Sequence, residues 1–190
     1  MQQLELGLTI ESARKFILNA VRDPNKCDPK HDPNRLPFIK DVSARKDKES
    51  WTWDRASRTV LFERLNDDFK TKFPELNFKQ TIFIEGKNSI PTEWRKGTFF
   101  GASMYPDGAI DCGGERLALE LDHGCKGSQI RNPLAKAAFA IQIGHYSASQ
   151  VLLVWEGSSC PEEEKGDEEQ KVLNEYKEKW NTEVEFLCAK

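Results

Sequence analysis

The sequence predicts an α/β fold, a mixed central β-sheet flanked by helices. Three observations predict it. Apolar residues recur at helical spacing over 9–21 and 55–73, the period changes to two between 79 and 122, and a helix-then-strand pair follows over 132–145 and 151–155. A length of 190 residues suits one domain with a sizeable core.

Taken in order, Thr9 is an N-cap candidate for a helix whose Ile10, Ala13, Ile17, Ala20 and Val21 share one face, and Asp23-Pro24 ends it. Residues 23–50 are rich in Pro, Asp, Asn and Lys and predict an irregular arm. Leu61, Leu65, Phe69 and Phe73 recur four apart, which predicts a helix over 55–73 that Pro74 closes. Residues 79–85 read as a strand, 98–105 as a strand or an approach loop. Residues 107–111 and 116–122 read as two strands around Gly113-Gly114. Asn132-Pro133 is a cap and first-turn pair for a helix to about 145, with Leu134, Ala137, Ala138 and Ile141 inward. The continuously apolar 151–155 predicts a strand buried on both faces. An acidic linker over 161–169 and a surface helix over 170–180 complete the chain. The expected organisation is therefore a single domain over 1–190, with a core at about 55–155 and an acidic C-terminal extension over 156–190.

Composition excludes several classes. No apolar run approaches the roughly 20 residues that cross a bilayer, so no membrane partner is expected. The opening Met1 to Leu6 lacks a basic region and a long apolar stretch, so a cytoplasmic location is expected. Five cysteines fit no zinc or redox spacing, and scattered reduced thiols are the expectation. The net charge of -3 divides unevenly. From Glu156 onward there are 11 acidic and 5 basic residues, a net of -6, against 20 and 23 before it, a net of +3. A mildly basic body permits a polyanionic partner, and solubility explains it equally well.

The informative segment is 105–122. Gly113-Gly114 between two alternating runs is a two-residue hairpin turn, since both positions accept φ > 0. Partner numbers then sum to 227, so Ile110 faces Leu117 and Asp107 faces Glu120. Period two puts Asp107, Glu120 and Asp122 on one face and Leu117, Leu119 and Leu121 on the other. Opposed acids repel, so the cluster calls for a neutralising cation. A hard divalent ion takes one or two carboxylates together with water and phosphate oxygens. An exposed acidic hairpin is the plainer alternative.

Helix, strand, hairpin with Pro-Asp and Glu-x-Asp, helix, strand: over about 55–155 this order resembles the PD-(D/E)XK nuclease superfamily, of which type II restriction endonucleases are members. The resemblance implies a Mg²⁺-dependent (or Mn²⁺-dependent) endonuclease that hydrolyses DNA phosphodiester bonds, site-specific and a homodimer on double-stranded DNA. It implies Asp107 and Glu120 as metal ligands, the Leu121 carbonyl as an added ligand, and Glu63 as the acid some members contribute from the preceding helix. Asp122 stands where the motif usually has Lys. It could orient water or bind metal, and Lys126 or Lys136 could reach the site in the lysine's stead or be ordinary solvated lysines. His123 could touch a phosphate or be structural.

Nucleic-acid contacts would come from Lys87, Arg95 and Lys96 before the hairpin and from Lys126, Ser128, Gln129, Arg131 and Asn132 after it. Arg, Asn and Gln can read base edges, Lys meets phosphate, and 127–129 could offer backbone N–H groups at a helix entrance. Loop polarity and capping account for any one of them equally. Trp51, Trp53 and Trp94 could stack on bases or pack. The alternatives kept open are a repair or junction nuclease, and a catalytically inactive nuclease-fold module that binds nucleic acid.

Overall fold

Thr9 opens helix α1 (Ile10–Val21) through a capping box: its Oγ1 accepts from Ser12 N–H, while Ser12 Oγ accepts from Thr9 N–H. Ala13, Phe16, Ile17, Ala20 and Val21 are buried; Ile10, expected inward, is half-buried. The computed structural model describes residues 7–22, 35–94, 98–99, 102–103, 106–124, 127–143, 145–155 and 166–188, side chains at 98–99, 102–103 and 127–129 excepted.

Helix α2 (Phe38–Glu49) occupies much of the stretch expected to be irregular. Its signal is faint because only Phe38 and Val42 are buried, among charged residues. Helix α3 (Trp53–Lys72) carries the expected Leu61, Leu65 and Phe69 inward and stops before Pro74. A short α4 (Phe78–Thr81) precedes strand β1 (Ile82–Ile84), so the strand expected over 79–85 is only three residues long. A ribbon pairs β2 (Thr98–Phe99) with β3 (Ala102–Ser103). Strands β4 (Gly108–Cys112) and β5 (Glu115–Gly124) form the hairpin in the expected register, Ile110 facing Leu117. Gly113 and Gly114 take φ of 73° and 108°, as that turn requires. Asp111 lies opposite Arg116 without pairing to it: its Oδ1 accepts from Gly114 N–H at 3.2 Å, and Arg116 lies 4.8 Å above the Trp94 ring.

Helix α5 (Gly127–Gln142) starts earlier than the Asn132 cap expected. Pro133 sits inside it, its fixed φ helical and its missing N–H forgoing one bond. Strand β6 (Ala148–Trp155) is the buried apolar strand, and α6 (Asp167–Trp180) the surface helix. The extension then returns to the sheet as β7 (Thr182–Cys188), a strand missed among its glutamates. Those glutamates are neutralised by Lys177 of α6 and by two arginines near the start of the chain: Glu183 by Lys177 and Arg14, and Glu185 by Arg22, the C-cap of α1. The thiol expectation also changes. Cys112 is a buried free thiol, whereas Cys188 is disulfide-bonded; spacing along the chain carries no information on which sulfurs meet.

The sheet order is β1-β4-β5-β6-β7. β1, β4 and β5 form an antiparallel meander, and β6 and β7 add in parallel beyond it, with α5 crossing from β5 to β6. One face packs Leu117, Leu119, Leu121 and Leu152 against α1, α2 and α3. The other packs Ala118, Val151, Leu153 and Phe186 against α5 and α6. The fold is thus the α/β class with a mixed sheet that the sequence predicts. Among the described residues no helix is long and apolar enough to cross a membrane.

Candidate active site

The β4–β5 ladder stops at Gly108 facing Leu119, while β5 and β6 continue as a parallel pair to Gly124. Past that point the β4 edge of β5 has lost its neighbour, and Pro106 has no N–H to offer. Asp107 fills the gap: its Oδ2 accepts from Leu121 N–H at 2.9 Å. A close approach fixes this corner, because a Cβ on Gly108 would lie 2.8 Å from both Phe83 O and Ile84 Cδ1.

The second Asp107 oxygen faces two cations. Oδ1 lies 3.9 Å from Arg58 Nη1 of α3 and 3.9 Å from Lys136 Nζ of α5. Lys136 Nζ also donates to Glu120 Oε2 at 2.6 Å. Glu120 is 1% exposed on the α5 side of β5, one face with the half-buried Asp122. Burial, opposed by Lys136 and reinforced by Asp107 and Asp122, pushes the Glu120 carboxyl up to about 8. For Lys136 burial disfavours the charge, but Glu120 and Asp107 outweigh it and hold the ammonium above the ordinary lysine value. Lys136, carried on α5, thus reaches both acids.

The other expected residues divide. Asp122 accepts its neighbour's N–H, His123 N to Oδ1 at 2.8 Å. The Leu121 side chain is in the core, its amide on Asp107. Glu63 is drawn away from the site into a two-pronged pair with Arg45 of α2, at 3.1 and 2.9 Å, because α2 presents that guanidinium to it. In its place α3 brings Arg58, which also pairs with Glu85 after β1. No sequence signal marked Arg58 among the many charges of that helix. His123 stacks on Trp53, ring centroids 5.2 Å apart, on the opposite face from Glu120. Trp94 is buried and packs edge-on to Phe83, so its structural reading holds. Arg131 and Asn132 are exposed on α5, Asn132 one turn before Lys136. Ser128 and Gln129 lie in the first turn of α5, which opens at Gly127. Arg95, Lys96 and Lys126 lie outside the described residues.

A cleft of about 380 Å³ opens over Asp107, lined by Glu85, Lys87, Asn88, Ile90 and Pro106 among others. Among the described residues no three His, Cys, Asp or Glu side chains converge as a metal cage. What converges is two carboxylates and two cations at the end of a splayed hairpin. That set can hold a divalent ion between the acids and present an ammonium and a guanidinium to an anionic substrate. Comparison with family models, curated proteins and solved structures finds no match.

Proposed function

We propose that the chain is a metal-dependent nuclease of the PD-(D/E)XK kind, hydrolysing phosphodiester bonds of double-stranded DNA at the Asp107–Glu120 corner. The observation that carries this reading is Lys136 Nζ, 2.6 Å from buried Glu120 and 3.9 Å from Asp107. A lysine at both acids completes a two-carboxylate-plus-lysine set although Asp122 occupies the usual lysine place. The antiparallel meander followed by a helical crossover supports it too.

The donor set fits Mg²⁺ or Mn²⁺, since both carboxylates are hard oxygen ligands and two suffice when water and phosphate supply the rest. Asp107 and Glu120 would hold the ion, with the Leu121 carbonyl on the same strand beside them. Bound there, it would supply Lewis-acid polarisation of the phosphoryl group and a more acidic water. The chain's own residues do the remainder. Lys136 orients the attacking water and steadies charge developing on the phosphoryl oxygens. Arg58 meets a non-bridging oxygen from the α3 side. Asp122 remains on the same face as a polar partner for water. Water adds to phosphorus as the deoxyribose oxygen leaves, and the proton the water gives up ends on that leaving oxygen. Site-specific cleavage of a palindrome by a homodimer is the finer form of this proposal.

A second reading has its own support. Lys136 and Arg58 already neutralise the acids, as they would in an inactive module that binds nucleic acid without metal. Cleavage separates the two. Incubated with phage-sized duplex DNA, the protein is expected to give Mg²⁺-dependent products that chelator and Asp107→Ala abolish. Discrete bands indicate a site-specific enzyme and a smear a nonspecific or structure-selective one. A folded protein that cuts no duplex, single-stranded or branched DNA refutes the enzyme reading.

A further inference from the structure

The cleft over Asp107 has a cationic approach that the acid corner does not explain. Lys87, which lines the cleft, sits with Nζ 5.7 Å from the centre of the Trp51 ring. Arg55, at the start of α3, holds its guanidinium 4.3 Å from the same ring. One turn on, Arg58 reaches Asp107 at 3.9 Å. Three cations from two separate chain segments thus run from Trp51 to the candidate metal ligands. A ring between two cations is usually a packing device, and each contact contributes about 0.5–1 kcal/mol at an exposed site. Packing alone does not account for the charge balance. Among the described residues neither Arg55 nor Lys87 has a carboxylate within 4.0 Å, whereas Arg45 and Arg58 are each paired. Burial lowers the Lys87 pKa; Glu63 opposes that, and the positive charges of Arg55 and Arg45 add to it. At Lys87 only Glu63, already paired with Arg45, opposes these gathered like charges, a cost that an anionic ligand removes.

We propose that Arg55 and Lys87, held on the Trp51 ring, bind consecutive phosphates of a nucleic-acid backbone and lead that strand past Arg58 to the Asp107–Glu120 corner. The aromatic ring holds the two side chains, so less conformational entropy is lost when phosphate binds. These are positioning contacts. They set affinity and register and read no bases. The identity of the polymer rests on the nuclease reading; the presence of a phosphate-binding track does not.

The test is the affinity of a fluorescently labelled duplex oligonucleotide for the full chain, measured by anisotropy in chelator across a salt series. Each phosphate contact contributes about 0.9 to the slope of log affinity against log salt. Arg55→Ala and Lys87→Ala are each expected to weaken binding and to flatten the slope by about one contact. Trp51→Ala is expected to do both, and Trp51→Phe to restore most of the loss, since a phenyl face still holds a cation. Unchanged slopes in folded Arg55→Ala and Lys87→Ala proteins overturn the proposal, as does wild-type protein that binds no DNA. Cleavage with unchanged slopes fails this inference alone. Flattened slopes in a protein that never cleaves fail the nuclease reading alone and leave the track in place.

Discussion

Glu120 is a carboxyl with almost no exposure, touched by one ammonium. Its value of 4.5 as an ordinary side chain rises to about 8 in the fold. Between those two values the folded chain holds a proton that the unfolded chain has released. Its contribution to stability is therefore full below about pH 4.5 and declines as pH rises toward about 8. Glu120→Gln is expected to flatten the pH dependence of the denaturation midpoint across that window, and a slope unchanged by the substitution would contradict the burial argument. Lys136→Met removes the partner of a buried acid and is expected to cost about 1–3 kcal/mol by urea titration. The same substitution should reduce cleavage by a factor of about 100 or more, the scale of losing one preorganised electrostatic contact. Alternation about the Gly-Gly turn assigns Glu120 and Asp122 to one face, but Asp107 lies past the end of the ladder and caps the Leu121 amide instead of pairing opposite Glu120. Lys136 was one of two lysines named as within reach, and the crossing of α5 over β5 is what brings it to Glu120. Arg58 was illegible, since nothing in α3 distinguishes the one guanidinium that meets Asp107 from its neighbours.

Elements were legible where their pattern was clean and local. The hairpin register follows from two glycines at positive φ, and α3 from leucines and phenylalanines four apart. Helix α2 was hidden because so little of it is buried, and β7 because its alternation is written in glutamates. Two of their neutralising partners, Arg14 and Arg22, lie at the other end of the chain, and the third, Lys177, is in α6. At the base of β4, Gly108 has no room for a side chain between the Phe83 carbonyl and Ile84. Gly108→Ala is expected to cost about 1–3 kcal/mol, the range for forcing volume into a packed position, and to weaken metal binding by shifting Asp107. Calorimetric unfolding checks the first effect, and a wild-type melting curve would contradict it.

At the scale of the whole molecule, the three-layer packing brings together residues from α3, β4, β5 and α5, none of which forms a site alone. The same packing shields Cys112, which is 7% exposed and whose thiol burial pushes up to about 12. Its alkylation at neutral pH is expected only through unfolding, so the labelling rate should rise with denaturant along with the loss of secondary structure; rapid labelling of native protein would show the core layer to be open. The central claim, that Asp107 and Glu120 share a divalent ion beside Lys136, is tested most directly by Mn²⁺ titration of the metal-free protein, followed by electron paramagnetic resonance. One bound ion per chain is predicted, lost in Asp107→Asn and in Glu120→Gln and bound more tightly in Lys136→Met, where a competing positive charge is gone. Binding that survives both acid substitutions, or no binding by the folded wild-type protein, would contradict the account.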